Sequence, residues 1–527
     1  MKTGNQRTIE ATLEVTRPQI TEFGYFFYAK SQAALIRASS RTGRAKQDID
    51  PLEFHNAING SGRPGSEGYI MIEGIGLSGA TAITFEGIGV TGEVEYPGLV
   101  DPNQLNPPVL VYVRIAPWAE PGPRRFTLTT LHGEVSSGDL VFTVRKPTIL
   151  AMWDDEGAPG TAGEVTIFGV GLDQTREIRF EGEGIRVQNV WVWRAPFNPT
   201  ITAQLEIAPG APLGPRRFSV VTDHGVIESR DVTFSVVNPY IRGIWDAEGA
   251  PGKSGQISIG GVGLCGATAV NFSGSGVTVE DVYAQPCSYA NGSISAKVTI
   301  APDAPLGPRA FTVTIPRGPG TVSSAETNVT FTVTPPRVDS LTTAEAAPGA
   351  RGYLYIAGIG IGDATAVEFE DGEGITALVR SGGGGVSSLL NGSVDAELSI
   401  SPVATPGPRR FRLRTPNGMV HSGDVTFTVS PPRVTSIDTT NGYWQGIADP
   451  PTAVVPGTSG LIRIYGIGLA DVVGVRISGE GVTARLDPMP RQGPTLNPFI
   501  LVRVNVSPDA PLGPRTLELE LASGKKR

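Results

Sequence analysis

The sequence has little of what most chemistry requires. Its 527 residues hold two cysteines, five methionines and four histidines. The histidines (His55, His132, His224, His421) are scattered, and His132 and His224 fall at equivalent hairpin tips. No Cys-x-x-Cys, His-x-His or His-Glu-x-x-His spacing occurs, so no metal site is expected. No catalytic constellation is present either, and the chain is expected to be no enzyme and to need no cofactor. Apolar runs of 18 residues are missing, which excludes a membrane-spanning helix, and the N-terminus lacks an apolar core of signal-peptide length. Basic tracts are missing too. The net charge is -8, spread along the chain, and a duplex-binding protein normally concentrates basic charge on one face. Nucleic acid is therefore excluded as an expected partner. Lysine supplies 8 of the 43 basic residues, an arginine bias that fits a high-GC or heat-adapted (thermophile) source.

Glycine and proline are abundant: 68 and 44 residues, interleaved with short alternating apolar runs. That pattern reads as all-β with tight turns rather than as disorder. A Gly-Pro-Arg anchor recurs with its proline at Pro123, Pro215, Pro308, Pro408 and Pro514, at spacings of 92, 93, 100 and 106 residues by subtraction. Ahead of each lies a second anchor: Gly74-Ile75-Gly76-Leu77, Gly169-Val170-Gly171-Leu172, Gly261-Val262-Gly263-Leu264, Gly358-Ile359-Gly360-Ile361 and Gly466-Ile467-Gly468-Leu469. These lack the third glycine and following helix of a nucleotide loop. Units of this length match immunoglobulin-sized sandwiches, whereas solenoid repeats are less than half as long.

Period-2 alternation places the strands within a unit. The second unit opens at Pro147–Trp153, turns through Glu156–Gly160 and continues in Gly163–Phe168. Further strands follow at Glu177–Phe180, around Ile185–Val192 and at Thr200–Ile207. Ala211-Pro212-Leu213-Gly214-Pro215 is a fixed crossover, because prolines cannot donate to a ladder, and the last hairpin turns at His224-Gly225.

This layout resembles the IPT/TIG family of immunoglobulin-like domains. The resemblance rests on Pro-x-Ile at the start of a unit, Gly-Ala-Pro-Gly-x-x-Gly before the first core strand, Gly-x-Gly-Leu after it, and Gly-Pro-Arg-Arg-Phe ahead of a closing Phe-Thr-Val strand. It covers nearly the whole chain, five times over. It implies a tandem array of sandwiches of the bacterial or phage surface type and leaves function open, since such domains serve receptors, surface proteins, enzymes and transcription factors alike.

The expected organisation is a donor segment, 1–16, followed by five domains at 17–145, 146–237, 238–334, 335–430 and 431–527, with an insertion at about 24–62. Four domains close with an acidic or amide residue, an alternating strand and a proline: Asp139–Val144, Asp231–Val236, Asn328–Val333 and Asp424–Val429. The fifth has no such strand after Gly524, while Glu10–Val15 followed by Pro18 fits the template with no domain ahead of it. Ala11, Leu13 and Val15 then take the inward positions, facing an acceptor strand with Leu517, Leu519 and Leu521 inward. A one-residue slip would bury the glutamates instead.

A closed ring is an alternative, but short Pro-rich junctions favour an elongated rod with its ends far apart. Insertion between copies, giving a head-to-tail homopolymer, is then the expected solution; a non-polymerising rod, or a chain cut from a longer array, is the rival. The setting is extracellular or cell-surface, with a virion as the alternative.

Other features carry two readings. Cys265 and Cys287 fall in one unit and form either a disulfide or two buried thiols. Trp191, Trp193, Tyr443 and Trp444 could face glycans as in an adhesin, although the pattern favours burying Trp191 and Trp193 between the sheets. Acidic clusters at Asp154–Glu156 and Asp246–Glu248 read as solvated turns before they read as calcium sites.

Overall fold

The computed structural model describes residues 8–24, 60–95, 105–193, 197–285, 291–316, 320–370, 374–380, 390–439, 452–488 and 492–522. Strands dominate, and the only helical elements among these residues are two short 3-10 turns. The expected tandem immunoglobulin-like sandwiches are present, each with its own apolar core.

The second sandwich shows the plan. Thr148–Trp153, Ala162–Val170, Thr200–Ile207 and Ile185–Trp193 form one antiparallel sheet in that spatial order. Opposite lie Thr175–Phe180, Phe218–Thr222 and Gly225–Glu228, and a short sheet of Glu156–Gly157, Phe234–Val236 and Gly214–Arg216. The Gly-Pro-Arg anchor is the strand that pairs with the closing Phe-x-Val, through Arg216↔Phe234 and Gly214↔Val236. Its arginine caps the preceding crossover: the Arg309 and Arg409 Nη2 groups donate to the carbonyls of Pro305 (2.5 Å) and Thr405 (2.7 Å), four residues back. That bond holds the proline-bearing segment, which cannot ladder for itself.

Four sandwiches share a cluster of three phenylalanines: Phe85/Phe126/Phe142, Phe180/Phe218/Phe234, Phe272/Phe311/Phe331 and Phe369/Phe411/Phe427, with centroids 5.2–6.0 Å apart. The fifth has Ile477 paired with Leu517 at the equivalent register. Its third member comes from the other end of the chain.

Strand β1, Thr8–Val15, lies in the fifth sandwich of its own chain. It runs antiparallel to Gly513–Leu521 over its whole length and parallel to Ala453–Val454 at its end. The expected open rod with separated ends is therefore corrected: the first and last strands share one sheet. Closure changes no local rule. It needs only that the junction angles sum to a full turn, which strand patterning does not encode.

Candidate functional site: the closing seam

The register of β1 reproduces that of a native closing strand. Leu13↔Arg515 and Val15↔Gly513 match Phe234↔Arg216 and Val236↔Gly214, and Glu14↔Ala453 matches Ser235↔Glu156. Leu13 and Val15 are buried, as are Leu517, Leu519 and Leu521, while Ala11 is half-buried against the same core. The alternation keeps Glu10, Thr12 and Glu14 in solvent. One residue was missed: Ile9, buried opposite Leu519, takes the place of Ile227, which pairs with Val220 in the second sandwich. A single eight-residue strand thus does the work of a hairpin return and a closing strand. Burying Ile9, Leu13 and Val15 contributes on the order of 1.5–3 kcal/mol each, an upper bound for a chain already partly collapsed.

β1 is half of the closing seam. The other half is a knob. Leu105 of the first sandwich enters the core of the fifth. Beside it, Asn106 donates to Ala453 O (2.9 Å) and Thr439 Oγ1 (2.8 Å) and accepts from the Gly76 amide (3.0 Å). The same device joins neighbours elsewhere. Phe197 enters the first core, 5.6 Å from Phe142, with Asn198 donating to Ser61 O (2.9 Å). Leu390 enters the third core. Leu496 enters the fourth, with Asn497 donating to Glu345 O (2.8 Å).

A glycine from the second anchor completes each junction. Gly76, Gly263, Gly360 and Gly468 all have φ between 66° and 70° and pack so tightly that an added Cβ would lie 2.5–2.8 Å from Val455, Ala158, Ala250 and Ala347 respectively. At the remaining junction Gly171 faces Arg63 in the same way. Every sandwich thus docks on its predecessor through one heterologous contact, and the first docks on the fifth. A heterologous contact that returns to its start makes a ring, here a single-chain ring of five sandwiches closed non-covalently by β1.

Ion pairs reinforce the junctions. Arg63 binds Asp173 through two hydrogen bonds (Nε–Oδ1 2.9 Å) and lies 3.2 Å from His224 Nε2. Burial pushes the Asp173 carboxyl up, but the hydrogen bonds and charge of Arg63 outweigh it and hold the group below its ordinary value. Glu156 pairs with Arg242 (2.8 Å), Glu248 with Arg337 (2.5 Å), Lys253 with Asp363 (2.5 Å) and Glu345 with Arg433 (2.7 Å). Glu156 and Glu248, members of the two acidic clusters, are therefore engaged across junctions. Among the described residues no group of three or more His, Cys, Asp or Glu could hold a metal.

Trp191 and Trp193 are corrected. They are 44 % and 64 % exposed, on the outer face of the four-stranded sheet, and the Trp193 indole donates to Thr202 Oγ1 (3.0 Å). A bulge between Val187 and Asn189 shifts the alternation, so that the face expected to be inward turns out. Tyr443 and Trp444 lie outside the described residues, as does most of the insertion at 24–62. Cys265 is disulfide-bonded; its expected partner Cys287 lies outside the described residues. No helix among the described residues is long and apolar enough to cross a membrane.

No protein-family model matches the sequence, and no curated protein matches it. Similar solved structures include the plexin A4 extracellular region (10 % identity, TM-score 0.20, covering 85 % of this chain and 46 % of that one). Others are a titin I-band fragment, I67–I69 (10 %, TM-score 0.13, covering 50 % and 92 %), and the Yersinia pseudotuberculosis adhesin InvE (15 %, TM-score 0.14, covering 40 % and 66 %). The chain spans less than half the length of the plexin region. At these scores the likenesses concern repeated sandwiches and carry nothing about activity.

Proposed function

We propose that this chain is a non-catalytic structural protein of an extracellular surface, a five-sandwich ring of the IPT/TIG type that presents its outer sheet faces to partners. The observation that carries the reading is the seating of β1 in the fifth sandwich of its own chain, in the register of a native closing strand. A ring fixes five outer faces at set angles and removes the edge that the Gly513–Leu521 strand would otherwise expose, an aggregation hazard. The domain limits given above serve this reading, with residues 8–15 reassigned to the fifth sandwich. A virion surface is the alternative setting.

The filament is the second reading. Strand and groove are complementary whichever chain supplies the strand, so the same junction formed between copies would propagate head to tail. Native mass measurement separates the two: a closed ring stays at 55.3 kDa across concentrations, whereas strand donation gives a ladder of multiples. Adhesion is the binding activity this scaffold supports, through exposed Trp191 and Trp193 beside Thr202, a flat aromatic face with hydroxyl groups that suits a glycan. A glycan-array signal lost in Trp193→Ala would establish it; a clean array would remove it.

A further inference from the structure

The fifth core differs from the other four in a coordinated way. Where they stack three phenylalanines, it has Ile477 and Leu517 from its own strands and Leu13 from β1. The correspondence is positional: Phe180↔Phe218, Phe272↔Phe311 and Phe369↔Phe411 are the register partners that Ile477↔Leu517 replaces. Likewise Phe234↔Arg216, Phe331↔Arg309 and Phe427↔Arg409 are replaced by Leu13↔Arg515. All three sites change together, although one is contributed by the opposite end of the chain.

We propose that this aliphatic triad, Leu13 with Ile477 and Leu517, is the specificity determinant that confines β1 to the fifth sandwich, whether of its own chain or of a second copy. A leucine in a groove shaped by two phenylalanines leaves a void. A phenylalanine brought to the fifth groove overpacks it, because Leu13 and Leu517 are fully buried there against the Leu519 and Val506 core and a larger ring must displace its neighbours. The closing strands Phe142–Val144, Phe234–Val236, Phe331–Val333 and Phe427–Val429 are thereby excluded from the fifth groove, and β1 from theirs. The inference rests on the strand-closure reading but does not depend on which copy donates.

The test uses the full chain with Thr12→Cys and Thr516→Cys, exposed register partners across the β1 ladder at a separation that cross-strand disulfides tolerate. Cross-link yield in sub-denaturing urea is read by mass. In the parent, the bond forms within one chain. Adding Leu13→Phe lowers the yield about tenfold, the ratio that a usual overpacking penalty converts to. Converting Ile477 and Leu517 to Phe as well restores it by rebuilding the cluster of the other sandwiches, which a general loss of stability would not do. Leu13→Met, which conserves volume, cross-links as the parent does.

Equal yields from Leu13→Phe and Leu13→Met overturn the proposal, including where the triple variant does not fold. A folded triple variant that recovers nothing also overturns it. Cross-links found only between chains sink the ring reading instead and leave the triad standing, provided Leu13→Phe still lowers them.

Discussion

Asn106 of the first sandwich donates to the carbonyl of Ala453 in the fifth, at 2.9 Å. Asn198 makes the same bond to Ser61, and Asn497 to Glu345. The three carbonyls belong to equivalent residues, each the first of the short strand that runs parallel to a closing strand. An asparagine suits this place because it offers two donors and an acceptor in one plane. Asn106 uses all of them, holding Ala453, Thr439 and Gly76 in one buried network while Leu105 beside it fills the neighbour's core.

Removing that network is the most direct challenge to the closing seam. Asn106→Ala removes the partner of the buried Gly76 amide and of the Ala453 carbonyl, and an unsatisfied buried group costs about 1–3 kcal/mol. The urea midpoint is expected to fall. Small-angle scattering should also show an increased radius of gyration, because the covalent chain still links the sandwiches in order while only this seam parts. An unchanged radius with a lowered midpoint would mean that β1 holds the ring without the knob.

The repeat unit and its strands were open to reading because Gly-Pro-Arg and Gly-x-Gly-Leu recur once per unit, with glycines where φ is positive or a Cβ would meet backbone. The donor strand was readable for a related reason: Leu13 and Val15 alternate with glutamates, and only one register buries them. The knob was equally present, as Leu105-Asn106-Pro107, Phe197-Asn198-Pro199, Leu390-Asn391-Gly392 and Leu496-Asn497-Pro498. It escaped notice because an apolar residue and an asparagine before a proline or glycine look like an ordinary loop. The choice between a closed ring and a rod could not be read, since a small change in each junction angle separates the two while leaving every strand pattern intact. Trp191 and Trp193 were misplaced by one bulge, which alternation counted along a single strand cannot detect.

Acid should loosen the junction between the first and second sandwiches. The Asp173 carboxyl is held below its ordinary value by Arg63, so its stabilising contribution is complete above the unfolded pKa of about 3.9. It is lost as pH falls through the lower folded value. Thermal melts of the parent and Asp173→Asn should therefore differ most at neutral pH and converge as the pH falls through the lowered folded value. Parallel curves from pH 7 to pH 2 would show that the pair contributes nothing.

Exposure makes the tryptophans of the second sandwich dispensable for folding. Trp193→Ala should shift stability by no more than about 0.5 kcal/mol, the usual range for a surface site. Phe168→Ala is the contrast: its ring is buried under Trp153 at 4.6 Å, and truncation should cost about 3–5 kcal/mol. A melt of Trp193→Ala that resembles Phe168→Ala would show that the indole is covered in solution, and would point to contact with another copy.

Gly76 offers the cleanest separation of strain from contact. An alanine there must adopt φ near 69° and would also drive its Cβ to 2.6 Å from Val455 across the closing seam. Gly133, at a hairpin tip with φ of 104°, carries backbone strain alone, since nothing lies within 4 Å of its Cβ position. Left-handed backbone costs a residue with a Cβ about 1–2 kcal/mol at either place. Gly133→Ala should therefore lower the melting temperature modestly and leave the scattering profile unchanged. Gly76→Ala should lower it further and expand the particle, because Val455 is fully buried and can yield only by parting from the first sandwich. Matching effects from the two substitutions would mean that the first and fifth sandwiches are not in contact at Gly76, and the ring would then have to be held by β1 alone.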